Sequence, residues 1–240
     1  MTAVRTASIL VLYPRPTDPD AFVEYYTQHH LPKVDNLPGL LSYEYSTAIS
    51  NPDGSDADHF AFFVGDFANT DTLAEALASP EGAAVAGDVS NFATGGAAVA
   101  TATVVRLDSP NERTAHAYLD AWNRHDVDGI VACFGPGGRY SDPGLGDSEL
   151  PAAELPSFLT ELFALVPDLR LDILTLGATG VGEVSAFWRG RGGADEAHPE
   201  GRLDFLGADL MRFDTQGRIE WTAALYDAST FRRQLGFVPA

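Results

Sequence analysis

Residues 109–112, "SPNE", constrain the architecture of this chain of 240 residues more than any other stretch. Ser109 takes the N-cap position of a helix and Glu112 follows three residues later, which is the pattern of a capping box. A long apolar strand, residues 97–107, ends directly before this helix start. Because a new helix that opens where a sheet is complete favours a domain boundary, the chain is predicted to hold two domains. Their predicted ranges are residues 1–108 and 109–240.

The first predicted domain alternates strands and helices in the order β-α-β-β-α-β. Its strands are apolar runs bounded by turn residues, and its first helix opens with Asp18 as N-cap and Pro19 at the first helical position. This order is that of a ferredoxin-like α/β fold. The predicted elements are strands at 8–13, 40–48, 59–67 and 97–107, a helix at 18–30, and a helical region at 69–92 that breaks near residues 79–82.

The second predicted domain places its helices first and its longest strands last. This order favours an α+β cone, in which a curved antiparallel sheet wraps around helices and encloses a cavity. The predicted elements are two helices within 111–134, a short strand at 138–143, a helix at 155–165, strands at 169–178, 182–192, 202–213 and 218–227, and a final helix at 229–236.

The composition limits the partners that the protein can have. The formal net charge of −19 argues against nucleic acid and anionic membranes, because both repel such a surface. The single cysteine, Cys133, excludes an internal disulfide, and the scattered His116, His125 and His198 have no carboxylate at metal-ligand spacing. No apolar stretch is long enough for a signal peptide or a membrane span. We therefore expect a cytoplasmic protein that uses no metal and no cofactor.

The predicted strand at residues 202–213 carries an aspartate where a buried side chain is expected. Alternation along the strand places Asp209 on a face that is otherwise apolar. An ionised carboxylate there is costly, so Asp209 must find a partner or keep its proton. In the alternative interpretation, Asp209 lies on a solvated edge or pairs with Arg189, Arg191 or Arg202. The other residues of this predicted face are Leu203, Phe205, Gly207, Met211 and Phe213.

Three stretches of the first half carry a family resemblance, namely "FVEYYTQHHLP" (22–32), "PGL" (38–40) and residues 79–96. They are similar to the EthD-like members of the dimeric α/β-barrel superfamily, and the resemblance covers residues 5–106. It implies that two sheets associate into a barrel, either in a homodimer or against another domain. His30 matches the histidine of the family's H-x-P pattern and is a candidate proton shuttle. The pattern favours the alternative that His29 and His30 only complete a helix, whose dipole stabilises cations there.

Two stretches of the second half carry another resemblance, namely residues 118–142 and "ADLMRFDTQGRI" (208–219). They are similar to ketosteroid isomerases, within the wider SnoaL-like and nuclear-transport-factor-2-like (NTF2-like) superfamily. The resemblance covers residues 110–235 and implies an NTF2-like cone. It assigns the role of general base to Asp142, and the roles of oxyanion-hole donors to Tyr118 and Asp209.

These residue types suit proton transfer next to a ketone. A carboxylate can take and return a carbon-bound proton, while a phenol and a carboxylic acid kept neutral by apolar surroundings can hold the enolate oxygen. We therefore predict a cofactor-independent isomerase or cyclase that acts on a hydrophobic polycyclic ketone, such as a polyketide or a steroid-like compound. The aromatic residues predicted to contact this substrate are Tyr140, Trp188, Phe205, Trp221 and Tyr226.

Three alternatives stay open. One is a non-catalytic module for ligand binding and dimerisation. Another is a SnoaL-type polyketide cyclase or hydrolase that uses other residues, since the acid/base aspartate of the cyclases is replaced here by Ala224, and Asp227 matches a non-catalytic position. The third places the chemistry in the first domain, with His30 as the base.

Overall fold

The computed structural model describes residues 4–146, 148–198 and 201–237, in a mixed α+β arrangement. The chain divides into two compact units, the first ending at Leu107 and the second beginning at Asp108. None of the described helices combines the length and the hydrophobicity that a membrane crossing requires.

The described residues of the first unit form four strands and four short α-helices. They are β1 Val4–Pro14, α1 Pro19–Tyr25, α2 Leu31–Val34, β2 Leu40–Ser46, β3 His59–Phe67, α3 Thr70–Ala78, α4 Pro80–Asp88 and β4 Ala98–Arg106. The strands form one antiparallel sheet in the order β2-β3-β1-β4. This order, with helices in both crossovers, is the predicted ferredoxin-like fold. Asp18 caps α1 as predicted, because its side chain accepts from the N–H of Ala21 at 3.0 Å.

The first helical segment continues past its predicted end at His30. A π-helical turn, Tyr26–His30, connects α1 to α2, and the N–H of Leu31 bonds to the carbonyl of Tyr26. Pro32 then stands in the first turn of α2, where a missing backbone N–H is tolerated. The prediction that this helix ends at His30 was therefore wrong.

In the second unit, the part of the chain that the structure describes forms four α-helices and six strands. They are α5 Pro110–Asn123, α6 Val127–Ala132, β5 Phe134–Ser141, β6 Glu149–Pro151, α7 Leu155–Leu165, β7 Arg170–Gly180, β8 Glu183–Gly192, β9 Leu203–Phe213, β10 Ile219–Tyr226 and α8 Ala228–Gln234. The strands form one sheet in the order β6-β5-β10-β9-β8-β7. The four long strands form the predicted antiparallel meander, and β5 joins it in parallel to β10. The fold is the predicted NTF2-like α+β cone with a curved sheet.

Local sequence signals position the elements that build the core of the second unit. The capping box opens α5 as predicted, since Ser109 Oγ accepts from the N–H of Glu112 at 3.2 Å and Glu112 Oε2 accepts from the N–H of Ser109 at 2.8 Å. Along β9 the predicted apolar face is buried, apart from the half-buried Gly207, while Asp204, Leu206 and Arg212 of the other face are exposed. The buried faces of α5 and α7 pack with this face of the sheet into one hydrophobic core.

Candidate active site

A cavity opens among the helices and the sheet of the second unit. It encloses about 420 Å³, a volume that includes open solvent at its mouth. Two carboxylates, those of Asp142 and Asp209, share its wall. The rest of the wall is apolar and largely aromatic, with rings from Trp122, Tyr140, Trp188, Phe205, Tyr226 and Phe231.

Asp142 follows β5 directly and is 5% exposed. Its Oδ2 accepts from the phenol of Tyr140 at 2.9 Å. Its Oδ1 accepts from the phenol of Tyr226 at 2.8 Å and from the N–H of Gly144 at 2.6 Å. A carboxylate offers about four acceptor positions, so these three donors fix the orientation of Asp142 and leave one position for the proton of a ligand.

Asp209 lies in the middle of β9 and is 4% exposed. Its neighbours across the sheet are Ala186 on β8 and Ala224 on β10, which bring no polar side chain to it. The indole N–H of Trp188 donates to Asp209 Oδ2 at 2.9 Å. Burial raises the pKa of Asp209 to about 7, the hydrogen bond from Trp188 opposes this rise, and the charge of Asp142 adds to it. A large share of Asp209 is therefore protonated at neutral pH, with Oδ1 as the oxygen that can donate.

The ion pairs considered for Asp209 in the alternative interpretation do not form among the described residues. The three arginines pair with other carboxylates, Arg189 with Asp204, Arg191 with Asp172 and Arg202 with Asp195. They neutralise charges on the surface, and Asp209 keeps the indole of Trp188 as its hydrogen-bond partner.

The absence of a side chain at Gly207 lets the indole of Trp188 lie across β9. Gly207 is the direct partner of Trp188 between β8 and β9, and a Cβ on Gly207 would stand only 2.2 Å from the indole Cη2. Trp188 also packs edge-on against Phe205, with the ring centroids 5.7 Å apart. Gly207 therefore leaves the space that the indole of Trp188 occupies when its N–H donates to Asp209.

Tyr118 lies on the buried face of α5 and is 1% exposed. Its ring packs edge-on against Trp122 and Phe134, with centroid distances of 6.1 and 6.0 Å. Burial raises the pKa of Tyr118 well above 10, and the charge of Asp209 raises it further, so the phenol keeps its proton. Within the described ranges, Tyr118 is not among the residues that line the cavity. The structure thus brings Asp142 and Asp209 to one wall and keeps Tyr118 in the core near them.

Four of the five aromatic residues predicted to contact substrate line this cavity, and Trp221 does not. The indole of Trp221 donates to Glu149 Oε1 at 2.9 Å, and the guanidinium of Arg212 lies 5.0 Å from its ring centroid. The pairing of β10 shifts between Ile219 and Trp221, and alternation then places Trp221 opposite to the face of Ala224. The assignment of Trp221 to the substrate wall is corrected accordingly.

Sequence reasoning treated Tyr140 and Tyr226 as pocket wall and missed their hydrogen bonds to Asp142. Tyr140 precedes Asp142 by two residues, which is the spacing of one strand face, so this partner was readable from the sequence. Tyr226 lies 84 residues away along the chain, and only the pairing of β10 with β5 reveals it. Trp122, four residues after Tyr118, also lines the cavity, and the sequence had not indicated this.

The position of the cyclase acid/base residue is part of the cavity but carries no acid. Ala224 lines the wall and is the direct strand partner of Asp209. Asp227 is the N-cap of α8, where it accepts from the N–H groups of Ser229 and Thr230 at 2.9 and 3.2 Å. Asp227 therefore has a structural role at a helix start.

His30 lies in the first unit and is 3% exposed, with Nδ1 3.0 Å from Asp88 Oδ2. Burial lowers the pKa of His30, although Asp88 opposes this shift. Because the helical segment continues beyond His30 and the ring is buried, the interpretation of His30 as a cation at a helix end was wrong. In the part of the chain that the structure describes, no cluster of three or more histidine, cysteine or acidic side chains could hold a metal ion.

Comparisons with known proteins assign a family to each unit. The family model of the EthD domain matches residues 14–96, and that of the SnoaL-like domain matches residues 115–221. An uncharacterised 11.0 kDa protein, encoded in the thcB-thcC intergenic region of Rhodococcus erythropolis, is 35% identical over 88 residues, which are 37% of this chain and 84% of that protein.

Solved structures with similar folds include an EthD family protein from Bacillus halodurans, at 24% identity and a TM-score of 0.39, covering 40% of this chain and 96% of that one. A protein with a ketosteroid-isomerase-like fold from Catenulispora acidiphila has 17% identity and a TM-score of 0.45, covering 52% and 93%. An NTF2-like protein of unknown function from Burkholderia pseudomallei has 21% identity and a TM-score of 0.47, covering 53% and 98%. The family models therefore match an EthD domain in the first unit and a SnoaL-like domain in the second.

Proposed function

We propose that the second unit is a cofactor-independent isomerase or cyclase that moves a proton next to the ketone of a hydrophobic polycyclic substrate, such as a polyketide or a steroid-like compound. One observation carries this proposal. Two buried carboxylates share an apolar cavity in opposite settings, since Asp142 accepts three hydrogen bonds while burial holds the pKa of Asp209 at about 7. Such a contrast separates the roles of base and acid.

In the proposed reaction Asp142 takes a proton from the carbon next to the ketone. The C–H bond breaks, its electron pair moves onto the ketone oxygen, and the neutral carboxyl of Asp209 donates a hydrogen bond to the resulting enolate. Isomerisation ends when Asp142 returns the proton to a different carbon. In a cyclisation, the enolate carbon instead attacks a second carbonyl carbon of the same substrate; the π electrons of that carbonyl move onto its oxygen, which takes the proton back from Asp142.

Tyr118 is the proposed second donor to the enolate. The support for this role is its neutral phenol and its place in the core near Asp209 and Asp142. Because the cavity wall does not include Tyr118, a direct contact with substrate requires the wall beside α5 to open. Trp122 lines that wall, so a ketone oxygen that enters beside α5 would meet its indole ring.

The Asp142→Asn variant tests the proposal. We expect wild type to convert a β,γ-unsaturated steroid ketone into its conjugated isomer, and the rate is measured by ultraviolet absorbance. The rate of the variant should be lower by about 100-fold or more. The melting temperature should change little, because the amide keeps the size of the side chain and one acceptor oxygen. Asp128→Asn, an exposed position on α6, is the matched control and should keep the wild-type rate. Undiminished turnover in Asp142→Asn would remove Asp142 as the base.

The competing interpretation, a non-catalytic binding module, gives a different result in the same experiment. Wild type would then bind the ketone, and a change in tryptophan fluorescence would detect the binding. The ketone would isomerise no faster than it does in buffer without protein. The rings of Trp122 and Trp188 line the cavity, so a bound ligand should alter their emission.

We also propose that the chain forms a homodimer through the first unit. The sheet face opposite to α1–α4 carries exposed apolar side chains beside polar ones, with Leu12 39% exposed and Val104 38% exposed. Leu10, Phe62 and Val64 on the same face are only half-buried. A second copy that pairs face to face would remove this apolar surface from water.

A further inference from the structure

A second cavity lies within the first unit, between its sheet and its helices. It encloses about 630 Å³, part of it open to solvent, and its wall is almost wholly aliphatic. The titratable side chains on this wall are those of His30 and Tyr13. An apolar pocket with a few polar groups is the usual form of a small-molecule site.

The hydrogen bonds of Asp88 fix the protonation of His30. Asp88 is 5% exposed and, besides His30, accepts from Lys33 Nζ, from the phenol of Tyr25 at 3.0 Å and from Asn91 Nδ2 at 3.0 Å. Burial raises the pKa of Asp88, but the hydrogen bonds from Lys33 and His30 outweigh it and hold the pKa below its ordinary value. Asp88 is therefore an ionised acceptor, and the Nδ1 of His30 carries the proton.

This arrangement leaves the other ring nitrogen of His30 with its lone pair. Within residues 4–146, 148–198 and 201–237, no hydrogen bond to Nε2 of His30 is formed, although the ring is buried and lines the cavity. The ring is held between Tyr26 and Phe92, at centroid distances of 5.3 and 4.6 Å. It also ends the π-helical turn, a rare backbone form that is frequent at functional sites.

We propose that the first unit holds a second proton-transfer site, in which Nε2 of His30 takes a proton from the carbon next to the carbonyl of a hydrophobic compound bound in this cavity. Asp88 is the positioning residue, since it orients the ring and stabilises the imidazolium that forms. The C–H bond breaks, its electron pair moves onto the carbonyl oxygen, and the imidazolium later returns the proton to carbon. No oxidant or further reactant is needed.

Tyr13 supplies the second group that such a step needs. Its phenol lies on the same cavity wall, and burial raises the pKa of Tyr13 to about 12, so it stays a donor for the enolate oxygen. The aliphatic wall selects the rest of the ligand, because Val11, Val34 and Val85 offer no partner to a charged or strongly polar compound. A fused bicyclic ketone is therefore a suitable probe, because it is apolar apart from one acceptor oxygen.

The experiment measures deuterium uptake by β-tetralone in D₂O, followed by proton NMR, with full-length chains that carry Asp142→Asn. This background removes the proposed base of the second unit. We expect exchange above the buffer rate in the background, and a loss of that excess by about 100-fold or more when His30→Gln is added. His29→Gln, an exposed neighbour, is the matched control and should leave the excess unchanged.

The role of Asp88 has a separate readout. In an Asp88→Asn variant the ring loses the negative charge that raises its pKa, while Lys33 remains, so the midpoint of the exchange rate against pH should move to lower pH. A residue with only a structural role would lower the rate and leave that midpoint in place.

Equal exchange with and without His30→Gln, or exchange at the buffer rate in the Asp142→Asn background, would overturn the inference. If His30→Gln does not fold, Val85→Phe fills the same cavity and should remove the excess exchange as well. In the chain with Val85, addition of β-tetralone should shift the ring ¹⁵N resonances of His30. In the Val85→Phe variant, these resonances should not shift. The steroid ketone assay on Asp142→Asn tests only the proposed site of the second unit. Its result therefore separates a failure of the proposed function from a failure of the inference about His30.

Discussion

The burial of Asp209 predicts that asparagine at this position stabilises the second unit at neutral and alkaline pH. The pKa of this carboxyl rises from 3.8 to about 7 on folding. Between these values the folded protein holds a proton that the unfolded chain has released, so wild type loses stability as the pH rises. Asparagine keeps the shape of the side chain and an acceptor for the indole of Trp188, and it cannot ionise.

The size of the effect follows from the two pKa values. One pKa unit corresponds to about 1.4 kcal/mol, so the rise costs the folded state about 4 kcal/mol once the pH exceeds about 7. Part of this cost is already present at pH 5. From pH 5 to pH 8, the free energy of unfolding of wild type should therefore fall by about 3 kcal/mol relative to that of Asp209→Asn. Below about pH 3, where the unfolded carboxyl is protonated as well, the difference should become independent of pH.

The measurement is urea unfolding at several pH values, followed by tryptophan fluorescence. All three tryptophans, Trp122, Trp188 and Trp221, lie in the second unit, so the signal reports on that unit alone. Asp204→Asn is the matched control on the exposed face of β9, where the hydrogen bond from Arg189 lowers the pKa of Asp204 and no change is expected between pH 5 and pH 8. If wild type and Asp209→Asn differ by the same free energy at every pH, Asp209 does not hold a proton in the folded state.

Two further predictions concern packing. Gly207→Ala should destabilise the second unit by about 1–3 kcal/mol in the same urea assay, because a Cβ at 2.2 Å from the indole of Trp188 forces the ring to move. In the control Gly177→Ala, the added Cβ meets open space, so the stability should not change. Leu12→Glu should shift the chain from dimer to monomer in sedimentation velocity, because it places a charge in the proposed interface. The control Leu206→Glu changes an exposed position of the second unit and should leave the dimer intact.

Much of the fold was predictable because its signals are local. The capping box of Ser109 and Glu112 involves residues three apart, and the alternation along β9 needs only one strand to be read. The helix that passes His30 was not predictable in this way, because Pro32 normally ends a helix and the π-helical turn that precedes it has no clear sequence signature.

The candidate site was predictable only in part, because its contacts join distant strands. The isolation of Asp209 on an apolar face was readable from β9 alone. Its partner Trp188 depends on the register of β8 against β9, and the bond from Tyr226 to Asp142 depends on β10 lying beside β5. Trp221 was misplaced for the same reason, since alternation along β10 is interrupted by a shift in pairing that its sequence does not show.

The alanine at residue 224 is consistent with the proposed roles of Asp142 as base and Asp209 as hydrogen-bond donor. Ala224 pairs directly with Asp209 between β10 and β9, so an aspartate at residue 224 would place two carboxylates side by side in an apolar wall. Two such groups cannot both ionise, and they would share one proton. With a methyl group there, the proton stays on Asp209, and Asp142, held by Tyr140 and Tyr226, is left as the acceptor. Under the proposed roles, an aspartate at residue 224 would compete with Asp209 for this proton, and Ala224 does not.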